Sequence, residues 1–266
     1  METAREESLK IRIHGAPGLP VLIYFPGLHG DWTLVASFRK QPEGKVRFVE
    51  LTYPRTTVWT LCDYAREVLR LLEVNGISSG WLLGESFGSQ VVWAVMNSLT
   101  NISNTQSFTP LGIVLAGGFI THPRKWAVRL AWHILANTPK KLLKGSFWIY
   151  RMYGRIRYKH ARESLAAIND FLARRNEPDR QAILHRLDLI EQADFQSLAR
   201  AISVPVFYLS GFVDPIVPWA SVGPQLKRNC PTFKKRKIIW RADHTVLGSA
   251  AKESARVIFG WMLETN

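Results

Sequence analysis

Residues 81–90 read WLLGESFGSQ, an apolar run that stops at Gly84, presents Ser86 and continues into a second apolar run after Gly88. The first run is typical of a buried strand, and the run after Gly88 is typical of a helix. A serine at the tip of such a tight strand-to-helix turn tolerates only small residues two positions before and after it. The spacing therefore predicts that Ser86 is a nucleophile, although a purely structural turn would also use the two glycines.

A serine hydroxyl is a weak nucleophile near neutral pH, so Ser86 needs a base, and the base needs a carboxylate that orients it. Asp214 lies just beyond one strand candidate, and His244 lies just beyond the last one. The carboxyl ends of parallel strands meet at one edge of a sheet, so we expect the three side chains to converge there. Asp243 is an alternative acid, but adjacent residues on a loop usually diverge.

Short apolar runs recur along the chain and alternate with helical patterns. The strand candidates are residues 9–14, 21–25, 46–51, 80–84, 111–117, 204–211 and 237–240. The first two are predicted to form a hairpin across the glycine- and proline-rich segment 15–20. Several others are apolar on both faces, as expected for parallel strands that helices cover on both sides. The order predicts an α/β fold with a mostly parallel central sheet and helices on both faces.

The ends of one helix are marked by their own residues. Thr60 is a candidate N-cap with Asp63 three positions later, and Asn75 with Gly76 is a candidate C-terminal stop. The pattern predicts a helix from about residue 61 to residue 74.

The alternation of strands and helices stops between about residues 121 and 200, where only amphipathic helical patterns appear. A helical block that interrupts an α/β sheet after its central strands is typical of an inserted lid. We therefore predict a core formed by residues 1–120 and 201–266, and a helical lid formed by residues 121–200.

In this order, the motifs resemble those of the α/β-hydrolase superfamily, and in particular its serine esterases and lipases with a helical lid. The resemblance covers residues 20–264 and is strongest at LLGESFG, VPVFYLSGFVDPIVP and ADHTVLG. It implies that Ser86 is the nucleophile, Asp214 the acid and His244 the base of a catalytic triad.

The same resemblance implies an oxyanion hole made of two backbone N–H groups, those of Phe87 and Leu28. Leu28 lies in the loop FPGLHG, which departs from the family's frequent His-Gly pair by having Pro26 and Gly27, with His29 displaced. Backbone donation survives that change. His29 is either a group that polarises the substrate or a loop histidine that bonds to the backbone. No role is assigned to His14, His122, His133, His160 or His185.

Positive charge is concentrated in the predicted lid. The chain has 35 Lys and Arg against 21 Asp and Glu, a net charge of +14, and residues 86–162 include no acidic residue. This segment either docks an anionic carrier, coenzyme A or an anionic membrane surface, or it is a solvated face whose cationic stems cover apolar surface. Nucleic acid is not expected, because no binding motif accompanies the charge.

Other features disfavour cofactors and secretion. Neither the cysteines, Cys62 and Cys230, nor any pair of histidines has metal-ligand spacing, and no glycine-rich phosphate loop follows the first strands. We therefore expect no metal and no nucleotide cofactor. The first ten residues are polar and acidic, unlike a signal peptide, and two distant cysteines suit a reducing compartment, which predicts a cytoplasmic protein.

Within the resemblance, a serine rather than an aspartate at the turn disfavours haloalkane and epoxide chemistry and leaves acyl transfer. The predicted activity is that of a carboxylesterase: hydrolysis of a small-molecule ester with a hydrophobic group, through an acyl-enzyme intermediate. Two alternatives stay open. One is a thioesterase or acyltransferase that acts on carrier- or coenzyme A-bound acyl chains, and the other is a non-catalytic binding protein on the same fold.

Overall fold

The computed structural model describes residues 8–41, 44–101, 108–139 and 176–264, together with Asn169. The strands are β1 (Lys10–His14), β2 (Val21–Phe25), β3 (Arg47–Thr52), β4 (Ser79–Glu85), β5 (Thr109–Ala116), β6 (Val206–Gly211) and β7 (Phe233–Ile239). They form one sheet in the order β1-β3-β2-β4-β5-β6-β7. Only the β1–β3 pairing is antiparallel among these strands. The predicted mostly parallel sheet is thus confirmed.

The predicted hairpin of the first two strands is wrong, because β3 lies between β1 and β2. The connecting segment 15–20 passes around the start of β3. There Gly15 approaches Val46 so closely that a Cβ would lie 2.7 Å from the Val46 carbonyl oxygen, and Pro20 O accepts a hydrogen bond from Arg47 N–H (2.9 Å). The glycine and proline content marks a reversal of the chain, but it does not specify whether a strand fits into the gap.

Helices cover both faces of the sheet, as predicted. They are α1 (Ala36–Arg39), α2 (Leu61–Val74), α3 (Gly88–Asn101), α4 (Lys125–Asn137), α5 (Glu177–Gln192), α6 (Gln196–Ala201), α7 (Trp219–Asn229), α8 (Val246–Ser249) and α9 (Ala251–Glu264). One core cluster joins α2, α3 and α7 to strand residues such as Leu82 and Ile113. The other joins α8 and α9 to the alternate strand residues, such as Leu83 and Val114. Within the described ranges, no helix is both long and apolar enough to span a bilayer.

The predicted bounds of α2 are confirmed by its caps. Thr60 Oγ accepts the N–H of Asp63 (3.2 Å), and the Asp63 carboxylate accepts the N–H of Thr60 (2.9 Å). These two bonds satisfy N–H groups that the first turn leaves without helical partners. At the other end Asn75 is the C-cap, and Gly76 takes the left-handed conformation, φ +64°, that ends the helix.

Between β5 and β6, the described residues form α4, α5 and α6 and no strand. Arg180 of α5 donates to the carbonyl oxygens of Leu135 (2.5 Å) and Ala136 (2.6 Å) at the C-terminal end of α4, where a cation is favourable. The division into core and lid stays a prediction. The cationic residues from Lys140 to Arg162, which the sequence assigns to the lid, lie outside the described residues.

Candidate active site

Ser86 takes a left-handed backbone conformation, φ +51°, in the turn between β4 and α3. A Cβ on Gly84 would lie 2.8 Å from Ser89 Cα, and a Cβ on Gly88 would lie 2.1 Å from Phe25 O. Both distances are shorter than any real Cβ contact, so a larger residue at either position would push the turn apart. The close approach of the backbone is therefore the reason for both glycines.

Hydrogen bonds from two neighbouring elements hold this turn. Ser86 N–H donates to Ala116 O at the end of β5 (3.1 Å), and Ser86 O accepts the N–H (2.9 Å) and the hydroxyl (2.6 Å) of Ser89. Ser89 Oγ in turn accepts the N–H of Phe119 (3.1 Å). A left-handed conformation in a residue other than glycine costs about 1–3 kcal/mol. These bonds offset that cost and fix the position of the Ser86 side chain.

Three side chains at three strand ends form a continuous hydrogen-bonded chain. Ser86 Oγ lies 2.9 Å from His244 Nε2, and His244 Nδ1 lies 2.8 Å from Asp214 Oδ2. Ser86 follows β4, Asp214 follows β6 and His244 follows β7, so the parallel sheet brings together residues 158 and 30 positions apart. In this arrangement the hydroxyl donates to Nε2, and Nδ1–H donates to the carboxylate.

The Asp214 carboxylate is held by its own loop as well as by the imidazole. Its side chain is fully buried, and Oδ1 accepts the N–H groups of Ile216 and Val217, both at 2.9 Å. The alternative acid, Asp243, instead accepts the N–H (3.0 Å) and the hydroxyl (2.8 Å) of Thr245. Asp214 is thus the carboxylate that the structure brings to the imidazole.

The electrostatics around His244 favour its protonated form. Burial by itself would lower the pKa of His244, but the hydrogen bond and the charge of Asp214 outweigh it, with smaller contributions from Glu85 and Asp243. The pKa therefore lies above its ordinary value. An imidazole in this environment readily accepts a proton from a hydroxyl at Nε2.

Glu85 is a buried acid beside this site that the sequence analysis did not single out. It directly precedes Ser86, and Oε2 accepts the hydroxyl of Tyr24 at 2.5 Å. Burial raises the pKa of Glu85, while the Tyr24 hydrogen bond and the charge of His244 partly oppose that rise. The signal in the sequence was a lone acid at the end of an otherwise apolar strand.

His122, to which the sequence analysis assigned no role, is buried in the loop after β5. Burial lowers its pKa to about 4, and nearby His244 contributes to the same shift. Its Nδ1 accepts the N–H of Arg124 (3.2 Å), so the neutral ring carries its proton on Nε2. His122 is therefore a neutral hydrogen-bond donor in the electrostatic surroundings of the triad.

The loop after β2 passes directly beside Ser86. A Cβ on Gly27 would lie 3.5 Å from the Ser86 Cβ, which places the next residue, Leu28, at the same edge of the sheet. Within the described residues, neither Leu28 N–H nor Phe87 N–H is used in a hydrogen bond of the protein itself. Their service as oxyanion donors stays a prediction, and so does the role of the half-buried His29.

An apolar surface flanks the loop that presents Asp214. Phe212, Val213 and Ile216 are exposed, as is Trp240 at the end of β7. The ring centroids of Phe212 and Trp240 lie 4.2 Å apart. Exposed aromatic and branched side chains close together in the chain, two of them in ring contact, suit the binding of an apolar group.

Among the described residues, no cluster of three or more His, Cys, Asp or Glu side chains is arranged to hold a metal ion. Cys62 is exposed on α2, and Cys230 is buried after α7. Burial raises the pKa of the Cys230 thiol, which disfavours thiolate chemistry there.

Comparison with known sequences gives one kind of relative. No family model matches the chain. The protein RutD of Klebsiella pneumoniae (strain 342), whose name describes it as a carbamate hydrolase, is 25% identical over 245 residues, 84% of each chain. RutD of Klebsiella variicola (strain At-22) matches to the same extent.

Comparison with solved structures shows the fold. An esterase from Thermogutta terrifontis has a TM-score of 0.71 at 19% identity and covers 97% of this chain and 93% of its own. The enol-lactonase from Burkholderia xenovorans LB400 has a TM-score of 0.73 at 17% identity and covers 96% of each chain. MGS-M2, an α/β hydrolase enzyme from a deep-sea metagenome library, has a TM-score of 0.74 at 13% identity and covers 96% of this chain and 94% of its own. These likenesses show that the chain shares the α/β-hydrolase fold of these proteins.

Proposed function

We propose that this chain, which has the α/β-hydrolase fold, is a serine hydrolase that cleaves a carboxylic ester with a hydrophobic group through an acyl-enzyme intermediate. One observation carries the proposal. Ser86 Oγ, His244 and Asp214 are joined by hydrogen bonds of 2.9 and 2.8 Å, with Ser86 held in a strained, glycine-flanked turn. A purely structural turn has no need of an imidazole on its hydroxyl or of a buried carboxylate behind that imidazole.

In the proposed acylation step, Ser86 Oγ attacks the ester carbonyl carbon while His244 Nε2 takes the hydroxyl proton. Asp214 holds Nδ1–H and stabilises the imidazolium that forms. The N–H groups of Leu28 and Phe87 donate to the oxygen that becomes negative. When the tetrahedral intermediate collapses, the bond to the alcohol breaks and His244 gives its proton to the leaving oxygen.

Deacylation repeats these steps with water as the nucleophile. His244 removes a proton from water, hydroxide adds to the acyl carbon, and the bond to Ser86 Oγ breaks with return of the proton to that oxygen. The raised pKa of His244 suits both directions of transfer, because the protonated ring must persist until the leaving group takes the proton.

The hydrophobic character of the ester is inferred from the surface beside the triad. Phe212, Val213 and Ile216 are exposed on the same loop as Asp214, and Trp240 contacts Phe212. Burying one methylene group against such a surface contributes about 0.8 kcal/mol. Longer acyl chains should therefore lower KM by up to about fourfold per methylene until the surface is covered.

The test is a series of p-nitrophenyl esters of graded acyl length, run on the wild type and on Ser86→Ala. We expect turnover by the wild type and a loss of at least about 10⁴-fold in kcat for the variant. A fluorophosphonate should label only the wild type, at Ser86. A wild type that neither hydrolyses any ester nor reacts with the fluorophosphonate would overturn the proposal and favour a non-catalytic binding protein.

A carbamate is a second candidate substrate, favoured by the relative whose name describes a carbamate hydrolase. The same triad would attack the carbamate carbonyl, and His244 would protonate the departing nitrogen. An aryl carbamate and its matched ester, compared at equal leaving group, decide between the two: a carbamate kcat/KM above that of the ester assigns the activity to carbamates.

A thioesterase or acyltransferase acting on carrier- or coenzyme A-bound chains remains the third candidate. Its proposed partner is an anionic carrier drawn to the cationic segment, and an anionic membrane surface is the other anionic partner proposed for that segment. An acyl-coenzyme A substrate added to the ester series tests it. Steep loss of turnover with salt on the anionic substrate alone would favour this function.

A further inference from the structure

Arg186 of α5 is a buried cation whose guanidinium donates hydrogen bonds to two backbone carbonyls. Only 2% of its surface is exposed. Its guanidinium donates to Leu28 O (2.8 Å) and to Pro54 O (2.9 Å), and it lies 5.6 Å from the centroid of the Tyr53 ring. Burying a charge is expensive unless strong hydrogen bonds compensate it, and an apolar side chain fills space at less cost. The retained charge therefore points to a role beyond filling space.

The first of these carbonyls belongs to the residue that carries a predicted oxyanion donor. Leu28 bears both the oxygen that Arg186 binds and the N–H proposed for the oxyanion hole. The loop is also closed by Gly30 N–H on Gly27 O (2.9 Å) and by Tyr53 N–H on Gly30 O (2.7 Å). The Gly30 bond to Gly27 O holds the peptide plane that carries the Leu28 N–H, and the Arg186 bond holds the next plane, which carries the Leu28 carbonyl. Together they limit the rotation of Leu28.

The backbone at Gly30 packs closely against the guanidinium. Gly30 has φ +79°, and a Cβ there would lie 2.5 Å from Arg186 Nη1. The guanidinium is therefore in direct contact with the loop backbone, and only glycine allows that approach at this position.

Two further contacts set the position of α5 on the core. Asp179 accepts Arg55 Nε–H at 2.9 Å, and His185 Nε2 lies 2.8 Å from Trp59 O. Both join α5 to the segment after β3, next to the Pro54 carbonyl that Arg186 also binds. The helix is thus attached at the edge of the sheet where Ser86 lies, and its position determines the position of the guanidinium.

We propose that Arg186 is a positioning residue for the proposed hydrolysis: it holds Leu28 so that the Leu28 N–H faces the oxygen of the carbonyl that Ser86 attacks. Through this contact, oxyanion binding depends on the docking of α5 against the loops after β2 and β3. The inference rests on the proposed function, because it assigns a role within the same reaction.

The test compares Arg186→Met with a matched control on the same helix, Arg180→Met. Arg180 also donates to two backbone carbonyls, those of Leu135 and Ala136, but these belong to α4 and not to the loop after β2 that carries Leu28. We expect Arg186→Met to lower kcat for the best ester by about 100-fold, the loss typical of one oxyanion donor, with KM changed less than about threefold. Arg180→Met should keep kcat within about threefold.

Two more readouts separate positioning from a merely structural role. An alkylboronic acid, which forms a tetrahedral anion on a serine, should bind Arg186→Met about 100-fold more weakly, in parallel with kcat. Arg186→Lys, which keeps a donor and a charge, should recover part of the lost kcat. A merely structural role would lower the melting temperature and leave kcat and boronate affinity unchanged below it.

If Arg186→Met does not fold, Arg186→Lys decides, since it keeps a charge and a donor beside the same carbonyls, and it should lower kcat at least tenfold. Variants with kcat and boronate affinity within threefold of the wild type overturn the inference alone. Equal losses in Arg180→Met also overturn it. An inactive, unlabelled wild type overturns the proposed function and this inference with it.

Discussion

Replacing Asp214 by Asn tests the whole hydrogen-bonded chain, because it removes the charge and keeps the shape. In the wild type, Oδ2 accepts His244 Nδ1–H (2.8 Å), while Oδ1 accepts the N–H groups of Ile216 and Val217 (2.9 Å each). Asparagine has only one acceptor oxygen. That oxygen either stays with the loop or turns to the imidazole.

We expect the asparagine oxygen to keep its hydrogen bonds to the loop and not to turn to the imidazole. Turning the amide NH₂ toward Ile216 and Val217 would leave both N–H groups without this acceptor, at about 1–3 kcal/mol for the buried Val217 N–H alone. The oxygen therefore stays with the loop, and the NH₂ group faces His244 Nδ1. Since Nδ1 must then accept a hydrogen bond, the imidazole proton moves to Nε2, which can no longer take the proton of Ser86.

We expect Asp214→Asn to lower kcat by about 10⁴-fold, equivalent to about 5 kcal/mol of transition-state stabilisation. The assay is steady-state hydrolysis of the best p-nitrophenyl ester, with the melting temperature measured alongside. The matched control is Asp243→Asn, whose carboxylate bonds Thr245, and it should stay within about fivefold of the wild type. A loss below tenfold in Asp214→Asn, or a larger loss in Asp243→Asn, would refute the reasoning.

Three further predictions follow from the pKa shifts and the packing. Because the pKa of His244 is raised and catalysis needs its neutral form, kcat/KM should fall as pH decreases through a value above 6.5 in a pH–rate profile. His122 has a pKa of about 4 when folded, so the unfolded chain takes up its proton first and stability is lost as pH falls from about 6.5 toward 4. Between pH 7 and pH 4.5, the free energy of unfolding of His122→Asn should therefore fall by about 2–3 kcal/mol less than that of the wild type, as measured by urea titration at each pH. Gly88→Ala, whose Cβ would meet Phe25 O at 2.1 Å, should destabilise by about 3 kcal/mol or more. Gly260→Ala in α9, with open space around it, should stabilise by up to about 1 kcal/mol and serves as its control.

The sequence predicts what depends on local pattern and on the geometry of a parallel sheet. The Thr60 and Asp63 capping box fixes the start of α2, because its hydrogen bonds lie within four residues. Ser86 directly follows β4, while Asp214 and His244 lie three and five residues past the ends of β6 and β7. Strands that run in parallel end at one edge. Their convergence was therefore implicit in three local motifs.

Pairing partners and polar strands are harder to predict from pattern. The sequence shows that the chain reverses after β1, but only the assembled sheet shows that β3 lies between β1 and β2. The strand β7 begins at Phe233, four residues before the predicted start at residue 237. Its first five residues are FKKRK, mostly exposed at the edge of the sheet, where cations block further strand pairing and no apolar signal marks the strand.

The loop after β2, which carries Leu28, shows a deeper limit of local reasoning. Ser86, His244 and Asp214 all lie just past the ends of parallel strands, so a sequence that encodes the strands also encodes their meeting at one edge. Leu28 is held instead by Arg186, 158 residues away on a helix between β5 and β6, and no periodicity links those two positions. Under the proposed function, the strands of the sheet place the nucleophile and the base, while a helix docked on the sheet orients one oxyanion donor. Changes that shift α5 would then alter kcat without touching any residue of the triad.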